Sequence, residues 1–116
     1  MKRFIIELGW GFDLHGGDVT KAAKKAIVDA MSHSCLSGLA EVLDDDEKQR
    51  LRVAVKIGCP KPEEIQKDEL LKVLLFGNPT IDVVDGGLST TGLYVEALGE
   101  GDQIVIAVAS LTVYIE

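Results

Sequence analysis

The segment "GWGFDLHG" at residues 9–16 contains the residue types that acid/base chemistry and metal binding require. Asp13 and His15 lie two positions apart, and in an extended chain their side chains point to the same side. Such a pair can act as a catalytic acid/base, His15, with its orienting carboxylate, Asp13. It can also supply O and N ligands to a divalent metal ion. A glycine-rich strand exit whose Asp and His only cap local backbone has the same pattern.

Four glycines surround this pair and are predicted to bind a ligand. Gly9 and Gly11 precede it, and Gly16 and Gly17 follow it. Glycine allows a sharp bend or a close approach of the backbone to a ligand. Asp18 is placed to N-cap a helix, whose first N–H groups would face an anion beside these glycines.

A second glycine-rich segment, "VVDGGLSTTG" at residues 83–92, is the other candidate binding loop. Asp85, Gly86 and Gly87 can form an anion-binding nest of backbone N–H groups, and Ser89 adds a hydroxyl. A plain turn between two strands has the same composition, so both interpretations stay open.

Lys56 lies in the strand-like segment "LRVAVKIG". A lysine removed from water there can activate a hydroxyl such as that of Ser89, and the two would form a nucleophile pair. A strand lysine that only extends its ammonium group to solvent is the alternative.

Alternating strands and helices must position these residues. Residues 3–8 and the alternating residues 51–58 predict strands, the first of them ending at Gly9. Apolar positions at helical spacing after Asp18 predict a helix, and the pattern extends through Leu39 and Val42. The alanines of this helix favour close contact with a sheet. The charge run "DDDEKQR" at residues 44–50 indicates a solvated linker. A shorter helix is predicted from Pro62 to Leu75. The remaining predicted strands are "TIDVVDGG", "LYVEAL" and "QIVIAVASLTVYIE".

This order predicts one domain, residues 1–116, with an α+β fold: a two-layer sandwich of a mixed four- to five-stranded sheet with two helices on one face. The last strand is apolar on both of its faces. A small domain usually hides such a second face against another copy of itself, so we expect a homo-oligomer.

Composition restricts the partners and the compartment. The 116 residues carry a net charge of −7, which argues against a nucleic-acid partner. No apolar run approaches the roughly 18 residues of a membrane span, and the N-terminus lacks the features of a signal peptide. A cytoplasmic protein is expected, with Cys35 and Cys59 as buried free thiols.

The pattern GxGxDxHG, followed by a helix that starts with Asp-Val, resembles the signature of an uncharacterised family of small bacterial and plant proteins. The resemblance extends through "VKIGCP", "DGGL" and the apolar C-terminus. It implies a fold and a motif, and no activity.

The segments "VAVKIGCP" and "GLSTTGLYVEALGEGD" are similar to one repeat of the ring-opening amidohydrolases, the cyanuric acid hydrolase and barbiturase group, which join three repeats around one active site. This resemblance implies that Lys56, Ser89 and Arg52 line a site shared between subunits of a trimer or a multiple of three, where a small cyclic amide is hydrolysed. The chain departs from the group in being a single repeat, and "STTG" replaces the expected Ser-Arg or Ser-Lys context.

The N-terminal motif is also similar to that of the methylerythritol cyclodiphosphate synthases, which implies zinc ligation by Asp13 and His15. The only other histidine, His33, has the wrong spacing for the third ligand and is expected to pair with Asp29 at i, i+4. The leading expectation is therefore a small-molecule site at subunit interfaces, with amidohydrolase-like chemistry. A metal-dependent site and a non-catalytic ligand-binding oligomer are the alternatives.

Overall fold

The computed structural model describes residues 1–74 and 76–116. The strands are β1 (Lys2–Asp13), β2 (Leu51–Cys59), β3 (Asn78–Asp85), β4 (Leu88–Thr91) and β5 (Gln103–Ile115). The helices are α1 (Val19–Ser32), α2 (Ser37–Glu41), α3 (Asp45–Gln49) and α4 (Lys67–Leu71), with a 3₁₀ turn at Pro62–Glu64. No helix among these described residues is long and apolar enough to cross a membrane.

The five strands form one mixed sheet around β5, in the order β1-β5-β2-β3. β1 and β2 pair with β5 antiparallel, and β2 pairs with β3 in parallel. The short strand β4 pairs with the first residues of β5, on the same edge as β2. The predicted α+β class with a mixed sheet is therefore confirmed.

One face of this sheet is covered by α1 and forms the core. In β2 the alternation is as predicted, because the odd-numbered residues from Leu51 to Ile57 are buried beneath the helical layer. The same parity holds in β5, where Val105 to Val113 bury their odd-numbered side chains. The apolar stripe of α1 supplies the other half of the core: Val19, Ala22, Ala23, Ala26, Ile27 and Ala30.

The start of α1 confirms the predicted N-cap. The Asp18 carboxylate accepts hydrogen bonds from the backbone N–H groups of Thr20 (3.0 Å) and Lys21 (3.1 Å). The helix ends at Ser32, however, and does not continue through Leu39 and Val42. The segment predicted to be a linker is also partly helical, since Asp44 and Glu47 form a reciprocal capping box at the start of α3.

The first strand does not end at Gly9, as predicted, but continues to Asp13. Gly9 and Gly11 lie on the face that packs against α1, and the helix backbone comes very close to them. A methyl group on Gly11 would lie 2.5 Å from the Ala26 nitrogen and 2.6 Å from the Ala22 oxygen. Because these glycines have no side chains, α1 can pack directly against β1, and the small alanine side chains of α1 allow the same short distance.

Two further predictions need correction. "LYVEAL" is not a strand; the pairing partner of β5 in this region is Leu88–Thr91, which precedes it. The helix predicted from Pro62 to Leu75 is divided into the 3₁₀ turn and α4, which ends at Leu71, and Leu75 itself lies outside the described residues.

The two cysteines differ in environment, contrary to the expectation that both are buried. Cys59 is fully buried at the end of β2, and Cys35 is exposed between α1 and α2. Burial raises the pKa of the Cys59 thiol, and the nearby carboxylates of Asp85 and Glu63 raise it further.

We therefore expect Ellman's reagent to modify one thiol per native chain rapidly, because only Cys35 is accessible. Cys59 should react on the order of 100-fold more slowly, since its exposure requires local opening of the core. The Cys35→Ser variant should have no fast phase. Two fast thiols in the unsubstituted protein would contradict the packing of β2 described above.

The opposite face of the sheet carries none of the described helices. Residues of β5 with even numbers point to this side, together with their partners on β1, β3 and β4. We call this surface the helix-free face. Its apolar side chains are Ile6, Leu8, Trp10, Phe12, Val84, Leu88, Ile104, Ile106 and Val108.

Candidate functional site

Asp13 is held in a structural turn between β1 and α1. Its side chain is only 8 % exposed, and its Oδ2 atom accepts a hydrogen bond from the backbone N–H of Asp18 at 2.8 Å. Gly16 (φ 106°) and Gly17 (φ 62°) adopt the positive φ angles that this tight turn requires. The Asp13 carboxylate thus joins the end of the strand to the N-cap of the helix.

His15 lies in this turn, beyond the end of the extended strand. The side chain is half-buried, and its Nδ1 atom is buried without a hydrogen-bond partner among the described residues. The segment around Gly99 packs on the His15 backbone, so closely that a methyl group on Gly99 would lie 2.8 Å from the His15 carbonyl carbon. The predicted alignment of Asp13 with His15 required an extended chain through both residues, and the chain bends after Asp13.

Ser89 lies on the same side of the sheet as Asp13 but not in contact with it. Both residues pair with Val105, one from β1 and the other from β4. Two strand spacings therefore separate their backbones, about 10 Å. The Ser89 hydroxyl donates instead to the Gln103 side chain, at 3.0 Å.

Lys56 points to the opposite side of the sheet from Ser89. Lys56 pairs with Ser110 of β5, whereas Ser89 pairs with Val105. Because 105 and 110 differ by an odd number in a regular strand, their side chains face opposite ways. The prediction that Lys56 and Ser89 form a nucleophile pair is therefore wrong within one subunit.

The helix-free face has a depression of about 320 Å³ next to Lys56. Gly58 forms its floor, because this position of β2 lies on the helix-free face and glycine has no side chain to fill the space. Lys56 and Ser110 provide its polar side chains, since Asp85 pairs with Cys59 and its side chain points to the helical side. The apolar lining consists of Leu8, Val84 and Val108. The structure thus brings Lys56 together with part of the second glycine loop.

The glycines of that loop pack against neighbouring strands. Gly86 donates its N–H to the Cys59 carbonyl at 3.2 Å, so this group is not available to an anion. Gly87 has φ 65°, and any side chain there would collide with the Ile106 carbonyl oxygen. Asp85 and Gly86 line the depression, but the predicted nest loses one of its donors to this packing.

The described residues contain no group of three or more His, Cys, Asp and Glu side chains that could hold a metal ion. His33 pairs with Asp29 at 3.1 Å, as expected, at the far end of α1 from Asp13. Since 14 helical residues span about 20 Å, His33 cannot complete a site with Asp13 and His15 of the same subunit. A metal at this pair would need a ligand from another subunit.

Side chains of α1 also protect the outer edge of β1. The Asp29 carboxylate accepts a hydrogen bond from the backbone N–H of Trp10 at 2.9 Å, and this bond, more than the neighbouring His33, lowers the pKa of Asp29. The Lys25 ammonium donates to the Phe12 carbonyl at 3.1 Å. These two backbone groups of the β1 edge are therefore hydrogen-bonded to α1 and are not available to pair with another strand.

Sequence reasoning missed Ser110 and Glu7. Ser110 interrupts the apolar pattern of β5 directly opposite Lys56. Even-numbered residues of β2 pair with even-numbered residues of β5, and this alternation is the signal that would have placed the two side chains on one face. Glu7 is only 5 % exposed beneath the helical layer, where one carboxylate oxygen accepts from the Ser34 hydroxyl and the other has no partner among the described residues.

Similarity to known proteins covers nearly the whole chain. A family model described as conserved hypothetical protein (Lin0512_fam) matches residues 3–113. The crystal structure of an FtsZ-like protein of unknown function from Nostoc punctiforme superposes with a TM-score of 0.88. The two sequences are 38% identical, over 99% of this chain and 96% of that one. No curated protein matches the sequence.

Proposed function

The chain belongs to a family of conserved hypothetical proteins (Lin0512_fam), and we propose that it is a ligand-binding homo-oligomer. In this oligomer the helix-free face of one subunit is covered by a second copy. The covered depression beside Lys56 is then a small-molecule site at the subunit interface.

The observation that carries this proposal is the exposed apolar surface of the helix-free face. Leu8 is 64% exposed, Trp10 53% and Val108 46%, although all three lie in the middle of regular strands. Isolated exposed apolar residues are common on monomers, but a contiguous patch across several strands is typical of an interaction site.

The size of the face is sufficient for a stable interface. The chain measures 51 × 24 × 19 Å along its principal axes. A surface with the two longer dimensions can supply the roughly 800 Å² per partner that a standard interface buries.

The charges on this face favour a copy of the same chain as the partner. Lys56 and Asp82 are paired positions on neighbouring strands, so both signs of charge lie beside the apolar stripe. A surface that carries both signs can be complementary to itself, as a symmetric interface requires. Such a two-fold interface gives an even number of subunits, so of the trimer or multiple of three implied by the resemblance to the amidohydrolase repeats we expect a hexamer, and we expect a cytoplasmic location.

The test compares Leu8→Glu with Val42→Glu by native mass spectrometry and light scattering. Leu8→Glu should raise the subunit dissociation constant by about a hundredfold or more, because burying an unpaired carboxylate costs several kcal/mol. Val42 is 75 % exposed at the end of α2, outside the helix-free face, so its variant should assemble normally. An unsubstituted protein that stays monomeric at micromolar concentration would refute the proposal.

A second candidate function is hydrolysis of a small cyclic amide in the same depression. The observation in its favour is the direct pairing of Lys56 with Ser110, which places an ammonium group and a hydroxyl on one face. Ser110 would then take the nucleophilic role that the resemblance implied for Ser89.

A further inference from the structure

We infer that the depression beside Lys56 binds a small monocarboxylate whose apolar body lies against Leu8, Val84 and Val108. This inference rests on the proposed function, because a second copy covering the helix-free face is what removes Lys56 from bulk water. It adds the chemical class of the ligand and the group that recognises it.

Lys56 requires an anionic partner in the covered state. Its ammonium group forms no ion pair with the described residues, although Asp82 occupies the paired position on β3. Arg52, the other cation of β2 on this side, is already paired with Glu116 at 3.0 Å. A charge that is moved out of water without a partner costs several kcal/mol, so the interface must supply one to Lys56.

The shape of the depression favours a ligand as that partner. Gly58 leaves its floor without a side chain, and Gly86 approaches from the next loop, so that a methyl group on Gly86 would lie 3.3 Å from the Gly58 Cα. The volume of about 320 Å³ is at the lower end of the range for ligand pockets. A molecule of this size can place one charged group on Lys56 and still contact the apolar lining.

The acidic residue nearby limits the charge of the ligand. Asp82 occupies the position paired with Lys56 on the same face, whereas Asp85 pairs with Cys59 and its side chain points to the helical side. A monocarboxylate adds one negative charge beside the Lys56 ammonium and the Asp82 carboxylate, whereas a phosphate dianion would add two and be repelled more strongly by Asp82. The Ser110 hydroxyl can donate to the second carboxylate oxygen.

The experiment titrates the assembled protein with benzoate, with its neutral analogue benzamide, and with inorganic phosphate, using calorimetry. Benzoate should bind, and benzamide and phosphate should bind at least about tenfold more weakly, because a charge-assisted hydrogen bond is lost or a repulsion is added. Lys56→Met should weaken benzoate binding by about tenfold or more, and Lys56→Arg should retain it. Lys48→Met, which removes a lysine from α3, is the matched control and should leave binding unchanged.

Equal binding of benzoate and benzamide would overturn the inference, as would equal losses in the Lys56→Met and Lys48→Met variants. An intact oligomer that binds no benzoate would also overturn it while leaving the proposed assembly standing. If Lys56→Met dissociates the oligomer and benzoate does not bind, the partner's carboxylate takes the place of the ligand, and the inference fails. A monomeric unsubstituted protein would refute the proposed function itself.

Discussion

Replacing Gly11 with alanine is expected to lower the free energy of unfolding by about 3 kcal/mol, at the upper end of the usual cost of overpacking. The added methyl group would lie 2.5–2.6 Å from backbone atoms of Ala22 and Ala26. Backbone atoms within a helix cannot rotate away, so α1 must move off β1 as a whole and loosen the alanine contacts along its length. Thermal unfolding should show a loss of about 10 °C or more in Tm.

Gly38→Ala is the matched control for this substitution. The atom nearest to a methyl group on Gly38 is the ring carbon Cζ of Phe4, at 2.9 Å, at the end of a side chain that can shift. Gly38 also lies within α2, where alanine has the higher helix propensity. We expect its Tm to change little. Similar losses in the two variants would mean that the close contact between α1 and β1 does not limit stability.

Replacing Asp13 with alanine is expected to cost about 2–3 kcal/mol of unfolding free energy. The substitution removes the acceptor of the Asp18 N–H and leaves that group without its partner next to the N-cap of α1. Hydrogen bonds to charged groups contribute about 1.5–3 kcal/mol, and this one lies in a largely buried turn. Urea unfolding monitored by circular dichroism measures the loss.

Asp13→Asn separates the structural role of this residue from a chemical one. The amide oxygen of asparagine can still accept the Asp18 N–H, so we expect this variant to lose only about 1 kcal/mol. Binding at the Lys56 depression should be unaffected in Asp13→Asn, because Asp13 faces the helical side of the sheet. If Asp13→Ala is as stable as the unsubstituted protein, the turn does not depend on the carboxylate, and a role in chemistry becomes the better explanation of its burial.

Local patterns were sufficient for several elements. The N-cap of α1 depends on one side chain and two backbone groups that lie within three residues of it. The alternation of β2 is equally local, since burial of one face of a sheet requires period two. Both predictions were confirmed because the interactions that decide them are close in sequence.

Predictions failed where a distant partner decides the structure. "GWGFD" has the composition of a loop, but it remains a strand because β5 pairs with it and α1 needs its glycines. "LYVEAL" has the composition of a strand, but β5 pairs with Leu88–Thr91 at this place. Glycine content and β propensity do not specify which segment a strand will meet.

The sequence by itself determined the fold class, the membership of a family of conserved hypothetical proteins and the surplus of apolar residues in the last strand. Only the tertiary structure decided which polar residues meet. Lys56 and Ser89, joined in the sequence-based hypothesis, lie on opposite faces, and the hydroxyl beside Lys56 is that of Ser110. The physical reason is strand register: a shift of one residue moves a side chain to the other face, and register is set by pairing between segments far apart in the chain.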